Sequence, residues 1–224
     1  MNSLINTAWY WGNLYIWIRP VIWINTRCRV TGRHHVPRRG PVILACNHLN
    51  EADPGVLSAV MPRRVVWMAK RELFDIPFLG LHYHLYGAIP VRRFEADVAA
   101  LHRAEGALRR GRVLGMFPEG TRSRTGSLNK GYPGTALIAL RTGAPVVPVA
   151  IWGTEGIRLP RAFLQRTPVW VTFGAPFSLP RPARIRTPIV QEATDLIMTK
   201  IAELLPPRYR GVYAQSVAAE ASPQ

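Results

Sequence analysis

Five short apolar runs, each of strand length, set the tightest limit on how this chain can fold: residues 42–46, 65–69, 87–91, 113–117 and 147–151. A strand apolar at every position has both faces covered, and parallel sheets with helices on each side are where such strands occur. Between some of the runs lie helical patterns. Val98, Leu101, Glu105 and Leu108 mark one helix ending at Gly111, and residues 135–141 mark another ending at Gly143. A further strand is expected over 169–173, a terminal helix over 188–205, and a disordered tail over 213–224. The expected fold class is therefore α/β, with a mostly parallel sheet flanked by helices.

At 224 residues the chain suits one domain with a substantial core. That domain is expected over 31–212, preceded by an anchoring segment over 1–30. Net charge is +16, which surrounds the surface with a positive field and points to anionic partners: nucleic acid, an anionic membrane face, or phosphorylated substrates and carriers. Cys28 and Cys46 are the only cysteines, too few for a disulfide scaffold or a metal knuckle, so a reducing compartment is the default. Cys46 ends an apolar run and reads as a small core residue rather than a nucleophile.

Residues 4–24 are mostly apolar, carry Trp9, Trp11, Trp17 and Trp23, and hold no charge before Arg19. No basic leader region or small-residue cleavage site marks a secretory signal. Asn6, Gly12, Asn13 and the Arg19-Pro20 pair interrupt what would otherwise be a membrane span. The segment reads instead as an interfacial helix, with Leu4, Ala8, Trp11, Tyr15, Ile18 and Ile22 on its lipid face; the competing reading is a helix packed on the core. Arg27, Arg29, Arg33, Arg38 and Arg39 follow as a basic belt suited to an anionic surface. A monotopic or peripheral protein at the cytoplasmic face of the cell membrane is expected.

The chemistry sits in two loops. Asn47-His48-Leu49-Asn50-Glu51-Ala52-Asp53-Pro54 leaves one expected strand and enters an expected helix, which places His48 and Asp53 at a strand's carboxyl end, where open α/β sheets bind ligands. A histidine beside a carboxylate is a general-base pair, because the carboxylate fixes the tautomer and stabilises the imidazolium. Asp before Pro is also an ordinary helix cap, and both roles can coexist. The second loop, Phe117-Pro118-Glu119-Gly120-Thr121-Arg122-Ser123, follows the strand at 113–117. Its Glu119 can bond a hydroxyl and its Arg122 can fork onto a phosphate.

With these loops, the block Gly87-Ala88-Ile89-Pro90-Val91-Arg92-Arg93 and the run Val147-Pro148-Val149-Ala150-Ile151 before Gly153-Thr154, the chain resembles the 1-acyl-glycerol-3-phosphate acyltransferase family of lysophospholipid and glycerolipid acyltransferases. Lys70-Arg71-Glu72-Leu73-Phe74 and Lys130-Gly131 also look like segments of that family. Pro90 and Arg92 stand where other branches carry an aromatic and an acid, which leaves lysophosphatidate, another lysolipid and glycerol 3-phosphate open as acceptors.

The resemblance implies that His48 takes the proton of the acceptor hydroxyl as it attacks a thioester, and that Asp53 orients His48. It implies that Arg93 and Arg122, with Arg92 in support, hold the acceptor's phosphate and that Glu119 positions its hydroxyls. Asn47, Gly120 and Thr121 complete the implied substrate-binding set. Lys70 is similar to a family lysine that stabilises the tetrahedral oxyanion, although a solvated surface charge explains it equally well. Acyl-CoA or acyl carrier protein would donate the acyl group, with no metal and no other cofactor. A Gly-x-Ser-x-Gly elbow is absent, so transfer is expected to be direct, without an acyl-enzyme.

Three rivals fare worse. The acyltransferases with a His-His-x3-Asp-Gly motif require a spacing that Asp53 and Gly55 do not have. A non-enzymatic basic membrane- or nucleic-acid-binding module would account for the charge but not for Glu119 inside a basic loop. His34-His35 and His82-x-His84 lack a third metal ligand at a useful spacing.

Overall fold

The computed structural model describes residues 3–95, 97–157 and 165–220. The chain starts as a helical rod, α1 (Ser3–Asn13) and α2 (Arg19–Asn25) joined by a π-helical turn over Leu14–Ile18. Pro20 has no N–H to give the preceding turn, and the wider π turn absorbs the defect, with Arg19 N–H reaching back to Leu14 O.

β1 (Thr26–Thr31) comes next, and the five apolar runs follow as β2 (Val42–Cys46), β3 (Val65–Lys70), β4 (Ile89–Val91), β5 (Val113–Met116) and β6 (Val146–Trp152). β7 is Thr167–Phe173. The strands form one sheet in the order β1-β7-β6-β2-β5-β3-β4, parallel at every junction except β6 with β7. Between and after the strands lie α3 (Asp53–Val60), α4 (Leu79–Tyr86), α5 (Val98–Arg109), α6 (Gly134–Thr142), α7 (Thr187–Leu204) and α8 (Ala214–Glu220).

The pleat explains why the central strands are apolar throughout. Ile43, Ala45, Leu114 and Ala150 face a layer built from α5, α6 and α7, with Ala104, Ile138 and Ile197 among its buried residues. Their alternates Val42, Leu44, Cys46, Val113 and Ile151 face the other layer, with Tyr10, Leu14, Val56 and Leu57. Burying each large side chain on either face contributes roughly 1.5–3 kcal/mol.

Three expectations need correction. The sheet begins at Thr26, so β1 belongs to the domain and the anchoring segment ends before residue 30. Its alternating Thr-Arg-Cys-Arg-Val-Thr is the pattern of an edge strand, and its arginines Arg27 and Arg29 are exposed. The expected lipid face of the N-terminal helix is split: Ile22 is buried and Trp11 and Ile18 pack on the core, whereas Leu4, Ala8 and Tyr15 are exposed. The π turn adds residues per turn and rotates the later positions away from the earlier ones. Finally, residues 214–220 form α8, because Tyr209, Tyr213 and Val217, four apart, all bury in the core. The rest of the expected tail, residues 221–224, lies outside the described residues.

The N-terminal rod is therefore both a core element and an apolar surface. Ile5, Ile16, Trp17, Trp23 and Ile24 remain exposed along it. Arg19, the one charge in the rod, turns inward: its Nε donates to Ala59 O at 2.9 Å, near the end of α3. Among the described residues no helix is long and apolar enough to cross a membrane.

Candidate functional site

The carboxyl ends of the parallel strands β2, β5, β3 and β4 share one edge of the sheet, and each candidate catalytic or substrate-binding residue ends or follows one of these strands. His48 follows β2 and Glu119 follows β5. Lys70 ends β3, and Arg92 and Arg93 follow β4.

His48 is 7% exposed and Asp53 is fully buried. Asp53 Oδ2 lies 2.8 Å from His48 Nδ1 and also accepts the N–H groups of Leu49 at 2.7 Å and Asn50 at 2.8 Å. The capping reading of Asp53 fails, because its carboxylate serves the loop before α3 and makes no cap bond to the helix. With Nδ1 committed to Asp53, Nε2 has no hydrogen-bond partner among the described residues. An imidazole so held can take a proton at Nε2 while the carboxylate stabilises the resulting charge.

The ring of His48 is fixed from beneath. It stacks on Phe117 with centroids 4.0 Å apart and planes 18° apart, and Phe117 stacks on Trp67 at 5.2 Å. Trp67 is anchored by its Nε1 donating to Ser58 Oγ at 2.9 Å. Its register partner is Gly115, where any Cβ would collide with the indole. The glycine inside an otherwise bulky strand is thus the space that the aromatic stack occupies.

The second loop clamps the first. Phe117-Pro118-Glu119-Gly120 is a turn closed by Gly120 N–H to Phe117 O at 3.0 Å, with Gly120 at φ 66°. Glu119 Oε1 accepts His48 N–H at 2.9 Å, and Ser123 N–H donates to His48 O at 2.8 Å. Both backbone groups of His48 are therefore held by the second loop. Glu119 Oε2 accepts from Asn129 N at 2.9 Å and Asn129 Nδ2 at 3.0 Å. The neighbouring Leu128 is paired on both sides with the turns before α8, its N–H to Tyr209 O and its O from Val212 N–H.

Glu119 is only 1% exposed, and both oxygens are filled from within the protein. This corrects the expectation that it positions an acceptor's hydroxyls: it is a strut between the His48 loop and the 128–129 segment. Burial pushes its pKa up to about 7 against the pull of its three N–H donors, and the charge of Asp53 adds to the rise. Asn47 is corrected in the same way. It is 1% exposed and pairs twice with the backbone of Ile151, Nδ2 to O and Oδ1 from N–H, both at 2.8 Å, which ties the end of β2 to β6.

The basic residues form a looser rim. Arg122 is exposed and lies 2.9 Å from Glu51 Oε1. Arg93 is half-buried; burial lowers its pKa, Glu72 opposes this, and the nearby charge of Arg122 lowers it further. Arg93 and Arg122 are thus near enough to influence each other's charge. Arg92 and Thr121 are exposed. Lys70 is half-exposed, 3.4 Å from Glu72, and is not in hydrogen-bond contact with His48.

Burial, with the charges of Asp53 and Glu119, pushes the Cys46 thiol well above its usual range, which keeps it protonated and unreactive. No group of three or more His, Cys, Asp or Glu able to hold a metal occurs among the described residues. Trp67, Ser58 and Asn129 are site-building residues that the sequence did not single out, and Phe117, which opens the second loop, supports the His48 ring.

The chain is similar to several known proteins. A 1-acyl-sn-glycerol-3-phosphate acyltransferase of Borreliella burgdorferi is 34% identical over 128 residues, covering 56% of this chain and 51% of that protein. The human 1-acyl-sn-glycerol-3-phosphate acyltransferase alpha is 33% identical over 128 residues, covering 56% and 45%. This chain spans about half the length of the curated relatives it matches. The crystal structure of the 1-acyl-sn-glycerophosphate acyltransferase PlsC from Thermotoga maritima shares the fold, with a TM-score of 0.65 over 90% of this chain and 95% of that one at 23% identity. The model of the Acyltransferase family matches residues 27–152, from β1 through β6, a span that holds every candidate residue around His48, and the chain belongs to that family.

Proposed function

We propose that the protein moves a fatty acyl group from a thioester donor, acyl-CoA or acyl carrier protein, to the sn-2 hydroxyl of 1-acyl-sn-glycerol-3-phosphate, giving phosphatidate. The observation that carries this reading is the buried His48–Asp53 pair, at the sheet edge whose loops also carry Arg93 and Arg122. The names of the relatives from Borreliella burgdorferi and human support the acceptor.

In this reaction the acceptor hydroxyl gives its proton to His48 Nε2 as its oxygen bonds to the thioester carbon, a step worth roughly 10²–10⁴ in rate. The tetrahedral oxyanion then collapses, the carbon–sulfur bond breaks, and the imidazolium returns the proton to the leaving thiolate. We assign the oxyanion to Lys70, at the end of β3, which must first leave its ion pair with Glu72. Arg93 and Arg122 take the acceptor's phosphate, with Arg92, Gly120 and Thr121 in support. The exposed indoles of the N-terminal rod and the basic surface hold the enzyme at an anionic membrane, on the cytoplasmic face.

The test is mass spectrometry of products from purified protein offered lysophosphatidate, glycerol 3-phosphate and neutral or zwitterionic lysolipids, each with acyl-CoA and acyl carrier protein. Phosphatidate formed by the parent and not by His48→Ala is the expected result. Transfer to a phosphate-free acceptor in preference to lysophosphatidate would overturn the assignment of the arginines.

A further inference from the structure

Phe78 is the most exposed large apolar side chain of the described residues, at 89%, and it is also held in a costly backbone conformation. Its φ of 61° and ψ of −46°, with Leu79 N–H bonded to Pro77 O at 2.7 Å, form a tight three-residue turn that non-glycine residues rarely adopt. The turn is fixed on its far side by Gly80, whose N–H donates to Ile76 O at 2.7 Å and where a Cβ would strike the backbone of Phe74. A glycine at 78 would relieve the strain at once. A phenyl ring that is strained and packed on nothing is a residue kept for something outside the molecule.

Its surroundings indicate what. Ile76 and Leu81 are exposed beside it, so the turn offers an apolar tip rather than one stray ring. α4, which the turn begins, is seated on α1 by Trp9 against His82 and Tyr10 against Tyr86, so the tip and the exposed face of the N-terminal rod are carried by one packed unit. The turn lies between the carboxyl end of β3 and the start of α4, after a 3-10 turn over Arg71–Phe74 that packs on β3 and β4, on the side of the sheet where Lys70 emerges. That edge also bears Arg92, Arg93, Arg122 and Arg124, and the chain as a whole carries +16, which suits an anionic lipid surface and opposes pairing with a second copy of itself.

We propose that residues 76–81 form a wedge that enters the bilayer beside the catalytic edge, with Phe78 at its tip, as a second lipid contact distinct from the N-terminal rod. The wedge anchors the active-site side of the domain, so that a lysolipid can pass from the membrane to His48 without crossing water. This rests on the reading that the acceptor is a membrane lipid.

The experiment compares the parent with Phe78→Gly and Phe78→Trp in three measurements: thermal stability, titration with vesicles of phosphatidylcholine and phosphatidylglycerol at high salt, and acylation of lysophosphatidate in vesicles and in detergent micelles. Phe78→Gly is expected to melt no lower than the parent, since glycine accepts φ > 0 freely. Its vesicle affinity should fall about fivefold, because the lost ring removes buried apolar area. Acylation should fall with vesicle-borne acceptor and stay unchanged in micelles, and Phe78→Trp should retain both. Vesicle affinity equal to the parent's would overturn the wedge, as would a Phe78→Gly protein that melts well below the parent. A parent dimer dissociated by Phe78→Gly with vesicle affinity intact would overturn it in favour of a protein contact. Because vesicle binding needs no turnover, a parent that binds through Phe78 yet acylates nothing would sink the proposed reaction and leave the wedge standing.

Discussion

The ends of β2 and β5 and the ends of β3 and β4 lie along one edge of one sheet, yet they are built in opposite ways. At the first pair, His48, Asp53, Glu119 and Asn47 are buried and cross-tied by hydrogen bonds of 2.7–3.0 Å. At the second, Lys70 and Arg93, with Arg122 reaching in from the loop after β5, are partly or largely exposed and held by weak ion pairs or by none. The His48–Asp53 pair is organised in advance, which is what the proposed proton transfer needs. The cationic rim is left with unbalanced charge, which the proposed acceptor phosphate would order.

The largest break in that contrast is His48→Ala. It should lower kcat by about 10³-fold with the fold retained, read by steady-state acylation and circular dichroism. Turnover within threefold of the parent would remove His48 from the chemistry.

Next comes Glu119→Gln. An amide nitrogen in place of one carboxylate oxygen must face an N–H donor, either of His48 or of Asn129, and the strut opens. A shift of His48 by about 1 Å costs roughly 10²-fold in kcat, with KM for the acceptor little changed. If Glu119 instead held the acceptor's hydroxyls, KM would rise.

The same variant has a pH signature. With the folded pKa near 7 and the ordinary value of 4.5, the folded parent binds the extra proton between these limits. Stability from this group is therefore highest below about pH 4.5 and is lost as pH rises to about 7. The stability difference between parent and Glu119→Gln should shrink across that window in thermal melts from pH 4.5 to 8.

Arg122→Ala and Arg93→Ala should raise KM for a phosphate-bearing acceptor about tenfold and that for the donor far less. Equal effects on both substrates would move these residues to the carrier's phosphates. Smallest of all is Glu51→Gln, which frees Arg122 from an exposed ion pair worth little and should lower the acceptor KM about twofold.

How much of this was legible in the sequence follows from the range of the interactions involved. The central strands were legible because burial on two faces writes itself as an unbroken apolar run. His48 and Asp53 were legible because they sit five residues apart, within one loop. Glu119 and Asn47 were legible as residues and misread in role, since their partners lie 71 and 104 positions away, where no local spacing reports them. β1 hid behind its polar alternation, and α8 behind a single buried valine. Tyr209, Tyr213 and Val217 at intervals of four were the signal that could have found it.

The pairing of β1 with β7 sets an order of events during synthesis. β1 leaves the ribosome early, but its parallel partner comes about 135 residues later, a delay on the order of 7–30 s at ordinary translation rates. For that interval the edge strand that continues the tryptophan-rich rod has nothing to pair with, and closing so long a loop is slow. The rod therefore meets its surroundings before the sheet that seats it exists, and under the proposed membrane contact a bilayer would receive the nascent chain first, leaving the domain to fold already tethered.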